Sequence, residues 1–421
     1  LILQRYLQAT ERYLAEKLLP FWTRRIVEPK YGGFQANYDE NGERTKVREK
    51  TLLCQGRSIF ALSFMLRQGY DWRGSRRMIR QGIDFLKRHF RDTAHDGYYW
   101  IVDADGTPID RNKVMYGHSF LVYGLAEHAL ATGDKASRQE ACRLFDLIVS
   151  EASDVRHGGF FEHFKEDFRL AGGGSAGGSL KSLDVHMHLM EAFTTLYELT
   201  RLPKHRRALE HVIELIFDRM IDPKSGLGVA MFTRDWRPVN NIQLDTVWGA
   251  DRFDDQGKPP DVTSFGHNIE LAWLYLHSQD VLGVPRKKSL DRVLPLFEHT
   301  RRYGVDRQYG GLYVEGRRGG DVVDTDKEFW QQAEALIGFL DAYLLTKDTQ
   351  YLDAFRRVYD FVFQKMVHPE LGEWYCLCGR EGGVKRSWLG SHWKICYHTL
   401  RSVTLVCKKL RQVVRTRRAK T

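Results

Sequence analysis

The chain has 421 residues, 43% of them hydrophobic, and a formal charge of +10, enough length and apolar content to bury a large core. The excess charge gathers at the end, where Lys408 to Thr421 holds seven basic residues and no acid, so the nearly balanced body gives a nucleic-acid partner little support. Six cysteines are too few for a disulfide scaffold, Cys376 and Cys378 lack zinc-site spacing, and no apolar run of about 18 residues or signal-peptide pattern is present; a cytoplasmic protein with free thiols and no membrane contact is expected.

Taken in order, the chain is punctuated six times by glycine next to aromatic residues: YGGF at 31, DGYYW at 96, HGGFF at 157, SGLGVAMF at 225, YGGLYVE at 309 and LGEWYC at 371. Pro29, Pro223 and Pro369 each stand three residues before a glycine of the motif. Proline and glycine end helices, and the aromatic and β-branched residues that follow favour short extended segments with turns such as Asn41-Gly42 and Asp105-Gly106. Each copy is expected to form a small hairpin, and each interval between copies has room for two helices.

The segments after the hairpins, at 51–66, 113–131, 180–199, 265–282, 326–345 and 392–406, are apolar on most faces, whereas those before the next hairpin, such as 204–220 and 287–302, are amphipathic and charged. Helices apolar all round lie inside and amphipathic ones cover them. Six inner and six outer helices in alternation predict an all-α fold, the (α/α)6 barrel, with short β-hairpins at its mouth. One catalytic domain is expected over 1–413, followed by a basic tail over 414–421. The first and last hairpins are as regular as the middle ones, which favours a closed ring over an open solenoid with capped ends.

In such a ring the first turns of the inner helices converge on one cavity. They offer Arg57, then Tyr116 and His118, then Asp184, His186 and His188, then His267 and Glu270, then Trp330 and Glu334, and last Trp393, Lys394 and His398. Helical spacing sorts them. Glu270, three residues past His267, is placed to hold that imidazole and raise its basicity. Asp184 and His188 share a face that His186 does not, so His188 is expected in the cavity and His186 in a structural role. Trp330 and Glu334 also share a face. Histidines, carboxylates, an arginine and tryptophans together suit a neutral polyol, and imidazoles titrating near neutrality suit proton transfer beside a carbonyl. His188, His267 and His398 lie on three helices without an HExxH-type pair, and no metal or cofactor is expected. The glycine run from Gly172 (GGGSAGGS) lacks the Lys-Ser/Thr ending of a P-loop and is expected as a flexible loop. Residues 237–262, just before His267, are expected to form a lid.

The stretches FWTRRIVEPKYGGF at 21, HMHLMEAF at 186, TSFGHNIELAWL at 263, DTDKEFWQQAEALIGFL at 324, GEWY at 372 and WKICYH at 393 resemble the N-acylglucosamine 2-epimerase superfamily nearly end to end, the cellobiose 2-epimerases above all. The resemblance implies an (α/α)6 barrel and cofactor-independent proton transfer on an opened aldose. It implies that His267 and His398 are the acid/base pair on opposite sides of carbon 2, that Glu270 supports His267, and that His188 assists at the ring or carbonyl oxygen. Arg57, Tyr116, Trp330, Glu334 and Trp393 match positions lining the sugar site. His118 and Asp184, also taken as sugar-binding, stand where those enzymes usually have Gln and Asn, which leaves open whether a disaccharide or a hexose such as mannose is the substrate. The expected activity is a sugar 2-epimerase, working as a monomer or homodimer. The alternatives are a mannose-fructose type isomerase or an N-acylglucosamine 2-epimerase of the same family, and, from another class, an (α/α)6 glycoside hydrolase using Asp184, Glu270 or Glu334.

Overall fold

The helices follow one another in the expected alternation. A computed structural model of the chain describes residues 2–171, 180–239 and 259–418. Its helices are α1 (Ile2–Tyr13), α2 (Leu19–Arg25), α3 (Leu52–Arg67), α4 (Ser75–Phe85), α5 (Met115–Thr132), α6 (Lys135–Ala152), α7 (Leu183–Thr200), α8 (Pro203–Leu215), α9 (Phe265–Leu282), α10 (Leu290–His299), α11 (Phe329–Thr346), α12 (Gln350–Phe361) and α13 (Cys396–Arg418). The glycine-rich run and most of the segment expected as a lid lie outside the described residues. The last helix continues past residue 413, through the start of the segment read as a tail.

Burial separates the two layers. Every residue of α5 from Met115 to Ala129 is buried, as expected of a helix whose every face meets protein. On α4 the buried Ile79, Gly82 and Ile83 form one stripe, and Arg76, Arg77, Arg80 and Asp84 stand in solvent, the pattern of a covering helix. Each inner helix packs on the next, in the order α3, α5, α7, α9, α11, α13, and α13 packs back on α3. The ring is closed and the fold is an (α/α)6 barrel.

The hairpins are stitched to the helices by a repeated device. Each outer helix runs into a loop closed by one backbone bridge seven residues wide: Val27 with Phe34, Arg91 with Tyr98, Ser153 with Phe160, Ile221 with Gly228, Val305 with Leu312 and Val367 with Trp374. The loop needs left-handed glycines. Gly33, at φ +73°, also lies so close to Phe85 that a Cβ would stand 2.6 Å from its ring. The short strand leading into each inner helix then pairs with the hairpin of the following repeat: Lys50–Thr51 with Ile101–Val102, Lys113–Val114 with His163–Phe164, Lys181–Ser182 with Met231–Phe232, Val262–Ser264 with Glu315–Arg317, and Lys327–Glu328 with Leu377–Cys378. Tyr38 bridges to Gly390 and completes the circle between the last hairpin and the first.

Buried lysines open five of these six joints, at Lys50, Lys113, Lys181, Lys327 and Lys394, and Thr263 takes the place in the fourth repeat. A buried ammonium is tolerated only when paired and hydrogen-bonded. Lys113 Nζ lies 2.6 Å from Asp92 Oδ2, Lys181 Nζ 2.9 Å from Asp154 Oδ2, Lys327 Nζ 3.0 Å from Asp306 Oδ2 and Lys394 Nζ 2.8 Å from Glu373 Oε1. These pairs fix the hairpins at the mouth, where the inner helices begin.

Candidate active site

The inner helices are aimed at the mouth by their first residues. Thr51, Ser182 and Ser264 sit in extended backbone and accept the amides of Cys54, Val185 and His267, which starts the helix at once after the strand. The side chains of the first two turns therefore converge. Of the residues expected in the site, all but His118 and Glu334 line one cavity of about 310 Å³.

On one side stands His398. Its Nδ1 lies 2.6 Å from Glu334 Oε1, and Glu334 also accepts from Trp273 Nε1 at 2.9 Å and Arg401 Nη2 at 2.8 Å. A carboxylate ringed by N–H donors acts as acceptor, so Nδ1 carries the proton and Nε2 is left with a lone pair. Burial, and then the cations Arg57, Arg401 and His188, pull the imidazole well below its usual range. His398 is neutral at pH 7.

His188, on α7, is the opposite case. Its Nδ1 is 3.0 Å from Glu191 Oε2 and its Nε2 is 3.2 Å from Asp184 Oδ1. Burial alone would discharge it, but two carboxylates outweigh burial and hold it at about 9. His188 is an imidazolium whose two nitrogens are both engaged. Glu191 in turn is gripped by Arg401 and by the Tyr397 hydroxyl.

His267 is the most open of the three, its side chain about one-third exposed. Its Nε2 lies 3.8 Å from Asp184 Oδ1. Its ring tilts against Trp330, with centroids 4.7 Å apart, and Trp330 reaches His398 at 5.8 Å. The indole is pinned by its Nε1 donating to Glu328 Oε2 at 2.6 Å. Across the cavity Arg57 donates to the Tyr116 hydroxyl at 2.8 Å and to the Trp393 carbonyl at 3.1 Å. Tryptophan faces, a guanidinium and two imidazoles thus surround one space.

Three expectations need correction. His118 is fully buried away from the cavity: its Nε2 accepts the amide of Tyr98 at 3.0 Å, its Nδ1 pairs with the Val114 carbonyl at 2.9 Å, and burial lowers it to about 4. It is a structural residue like His186, whose contacts to Phe160 and Ser182 are equivalent. Glu334 stands behind His398 rather than on the cavity wall. Glu270, expected beside His267, gathers with Glu334 and His398, their ligand atoms within 4.8 Å of one another. Burial and the neighbouring Glu334 push its carboxyl above the ordinary carboxylate range. Arg401 donates to both carboxyls, at 3.2 and 2.8 Å, and supplies the positive charge of the cluster.

Sequence reasoning missed Glu191 and Arg401. Each stands three residues past a candidate histidine on the same helix, Glu191 after His188 and Arg401 after His398, the spacing that drew attention to Glu270.

The sequence pattern of the N-acylglucosamine 2-epimerase (GlcNAc 2-epimerase) family matches residues 32–402. A cellobiose 2-epimerase of Bacteroides fragilis is 26% identical over 403 residues, covering 93% of this chain and 96% of the relative. A D-mannose isomerase of Marinomonas mediterranea is 23% identical, covering 94% and 95%. The solved structure of cellobiose 2-epimerase from Spirochaeta thermophila superposes with a TM-score of 0.84 at 29% identity, covering 98% of each chain.

Proposed function

The chain belongs to the N-acylglucosamine 2-epimerase family, and on that premise we propose that it is a sugar 2-epimerase, interconverting the glucose and mannose configurations at carbon 2 of an opened aldose without a cofactor. The substrate is the reducing-end unit of a β-linked disaccharide, or a free hexose. The observation that carries the reading is the unequal pair: a buried neutral imidazole at His398 with its Nδ1 proton committed to Glu334, and a second, more open imidazole at His267 on the same cavity.

His398 Nε2 takes the proton from carbon 2 and becomes an imidazolium paired with Glu334. The electron pair of the C–H bond moves into the carbon 1–carbon 2 bond, and the carbonyl π pair moves to its oxygen, giving a cis-enediolate. The cationic Arg57 and His188 favour that negative charge. His267 then delivers a proton to the other face of carbon 2, inverting the centre. Delivery to carbon 1 would give a ketose. The carboxyls a glycoside hydrolase would use are committed elsewhere: Asp184 to His188, Glu270 and Glu334 to Arg401.

Proton NMR on cellobiose and on mannose in heavy water tests the reading. The expected product is the 2-epimer with deuterium at carbon 2, and loss of either imidazole, in His267→Ala or His398→Ala, slows turnover about 10²- to 10⁴-fold. A ketose as main product reassigns the protein as an isomerase. Unchanged turnover in either variant overturns the two-imidazole mechanism.

A further inference from the structure

The two acid/base imidazoles are joined behind the cavity by a continuous line of alternating charge. From His398 it passes to Glu334 at 2.6 Å, to Arg401 at 2.8 Å, through the Arg401 contact to Glu191, to His188 at 3.0 Å, to Asp184 at 3.2 Å, and ends 3.8 Å away at His267. The last anion departs from the resemblance, which leads one to expect a neutral asparagine at that position. One oxygen, Asp184 Oδ1, serves both His188 Nε2 and His267 Nε2.

We propose that Asp184 is a positioning residue that keeps His267 protonated, so that His267 rests as the proton donor while His398 rests as the base. The proposal builds on the reading of these two histidines as the acid/base pair. Other ionisable groups also face the cavity near His267: His188 from α7, Glu270 from its own helix, Glu328 from the start of α11, Glu315 and Arg318 from the hairpin paired with its strand, and His398 from α13. Glu270 and Glu328 both hold their protons more tightly than ordinary carboxylates because they are buried. Arg318 opposes an imidazolium. His188 is itself cationic, and Asp184 holds a carboxylate oxygen 3.8 Å from the His267 ring. An opposite charge within about 4 Å favours the charged form of an imidazole.

The sign follows directly. If His267 must be protonated to donate, activity falls as pH rises through its pKa, and Asp184 moves that alkaline limb upward. In Asp184→Asn, which preserves shape, the alkaline limb of kcat/KM on cellobiose or mannose is expected about one pH unit lower. Asp184→Glu, which keeps the charge, retains the limb near its parent position. A merely structural role would lower the rate by the same factor at every pH. Independently of turnover, the imidazole signals of His267, identified by their loss in His267→Gln, are followed by NMR across pH in the substrate-free protein. The expected result is a lower titration midpoint for His267 in Asp184→Asn. An unchanged midpoint overturns the proposal, whatever the rates show. A shifted midpoint in a protein that epimerises no aldose leaves the coupling standing and removes the proposed function instead.

Discussion

Two buried histidines of one cavity differ in charge, His188 cationic and His398 neutral, because of what their ring nitrogens meet. His188 has a carboxylate on each nitrogen. His398 has one, shared with Arg401 and Trp273, and three cations around it. Glu334 therefore sets the tautomer of His398 without touching the substrate space, much as a buried aspartate orients the base of a hydrolytic triad. In Glu334→Gln the amide can donate as well as accept, so Nδ1 is no longer held as the donor. The expected result is a kcat lower by about 10²-fold or more with little change in KM, measured by steady-state kinetics. A rise in KM alone would place Glu334 at the sugar after all. Spacing along one helix made Asp184 with His188 legible in the sequence. It could not show that His398 is held by a carboxyl 64 residues away, because that partner is brought in by helix packing and leaves no local pattern.

At the level of elements, the starts of the inner helices share a second position, five residues past the joint lysine or its threonine substitute, that reaches back to the preceding hairpin. Gln55, His118, His186, Asn268 and Gln332 accept the amides of Phe34, Tyr98, Phe160, Gly228 and Leu312 respectively. These are the second residues of five of the six backbone bridges, so in five repeats one side chain locks the hairpin to its helix. The helices themselves were legible from apolar content and glycine punctuation. The lock was not, because glutamine, asparagine and histidine share its geometry but no sequence pattern. That is why His118 reads as a ligand from sequence and is a brace in the fold. Using histidine makes the brace sensitive to acid. His118 and His186 are lowered by burial to about 4 from an ordinary value near 6.5. Their contribution, on the order of 3 kcal/mol each, is complete above pH 6.5 and is lost as pH falls toward 4. The double variant His118→Gln/His186→Gln repeats the glutamine brace that Gln55 and Gln332 already supply. It is expected to keep its melting temperature between pH 6.5 and 4 better than the parent in pH-resolved thermal melts. Parallel loss in both proteins would assign the acid sensitivity elsewhere.

For the whole molecule, the decisive contacts are those between its first and last repeats. Counting six regular punctuations made a ring more attractive than a solenoid, but a repeat count does not say which ends meet. The seam is specific. Tyr38 bridges Gly390, the Trp22 indole donates to Glu373, Tyr6 donates to Asp360 at 2.9 Å, and Trp374 Nε1 donates to the Tyr13 hydroxyl at 2.8 Å. Trp22 is fully buried against Phe21 and Tyr38, and its partner Glu373 also binds Lys394 at 2.8 Å and Thr399 at 3.2 Å, next to His398. In an open stack of helix pairs, damage to a terminal repeat frays that end and leaves the middle folded. In a closed ring no repeat is terminal, and the seam carries the load of any other joint. Trp22→Ala is therefore expected to cost about 3–5 kcal/mol and to lower a single transition in which helix content, aromatic circular dichroism and activity are lost together. A melt in two steps, with the aromatic signal of the seam disappearing first and most of the helix surviving, would mean that the two ends contribute little to holding the site, although His398 stands a few residues from the seam.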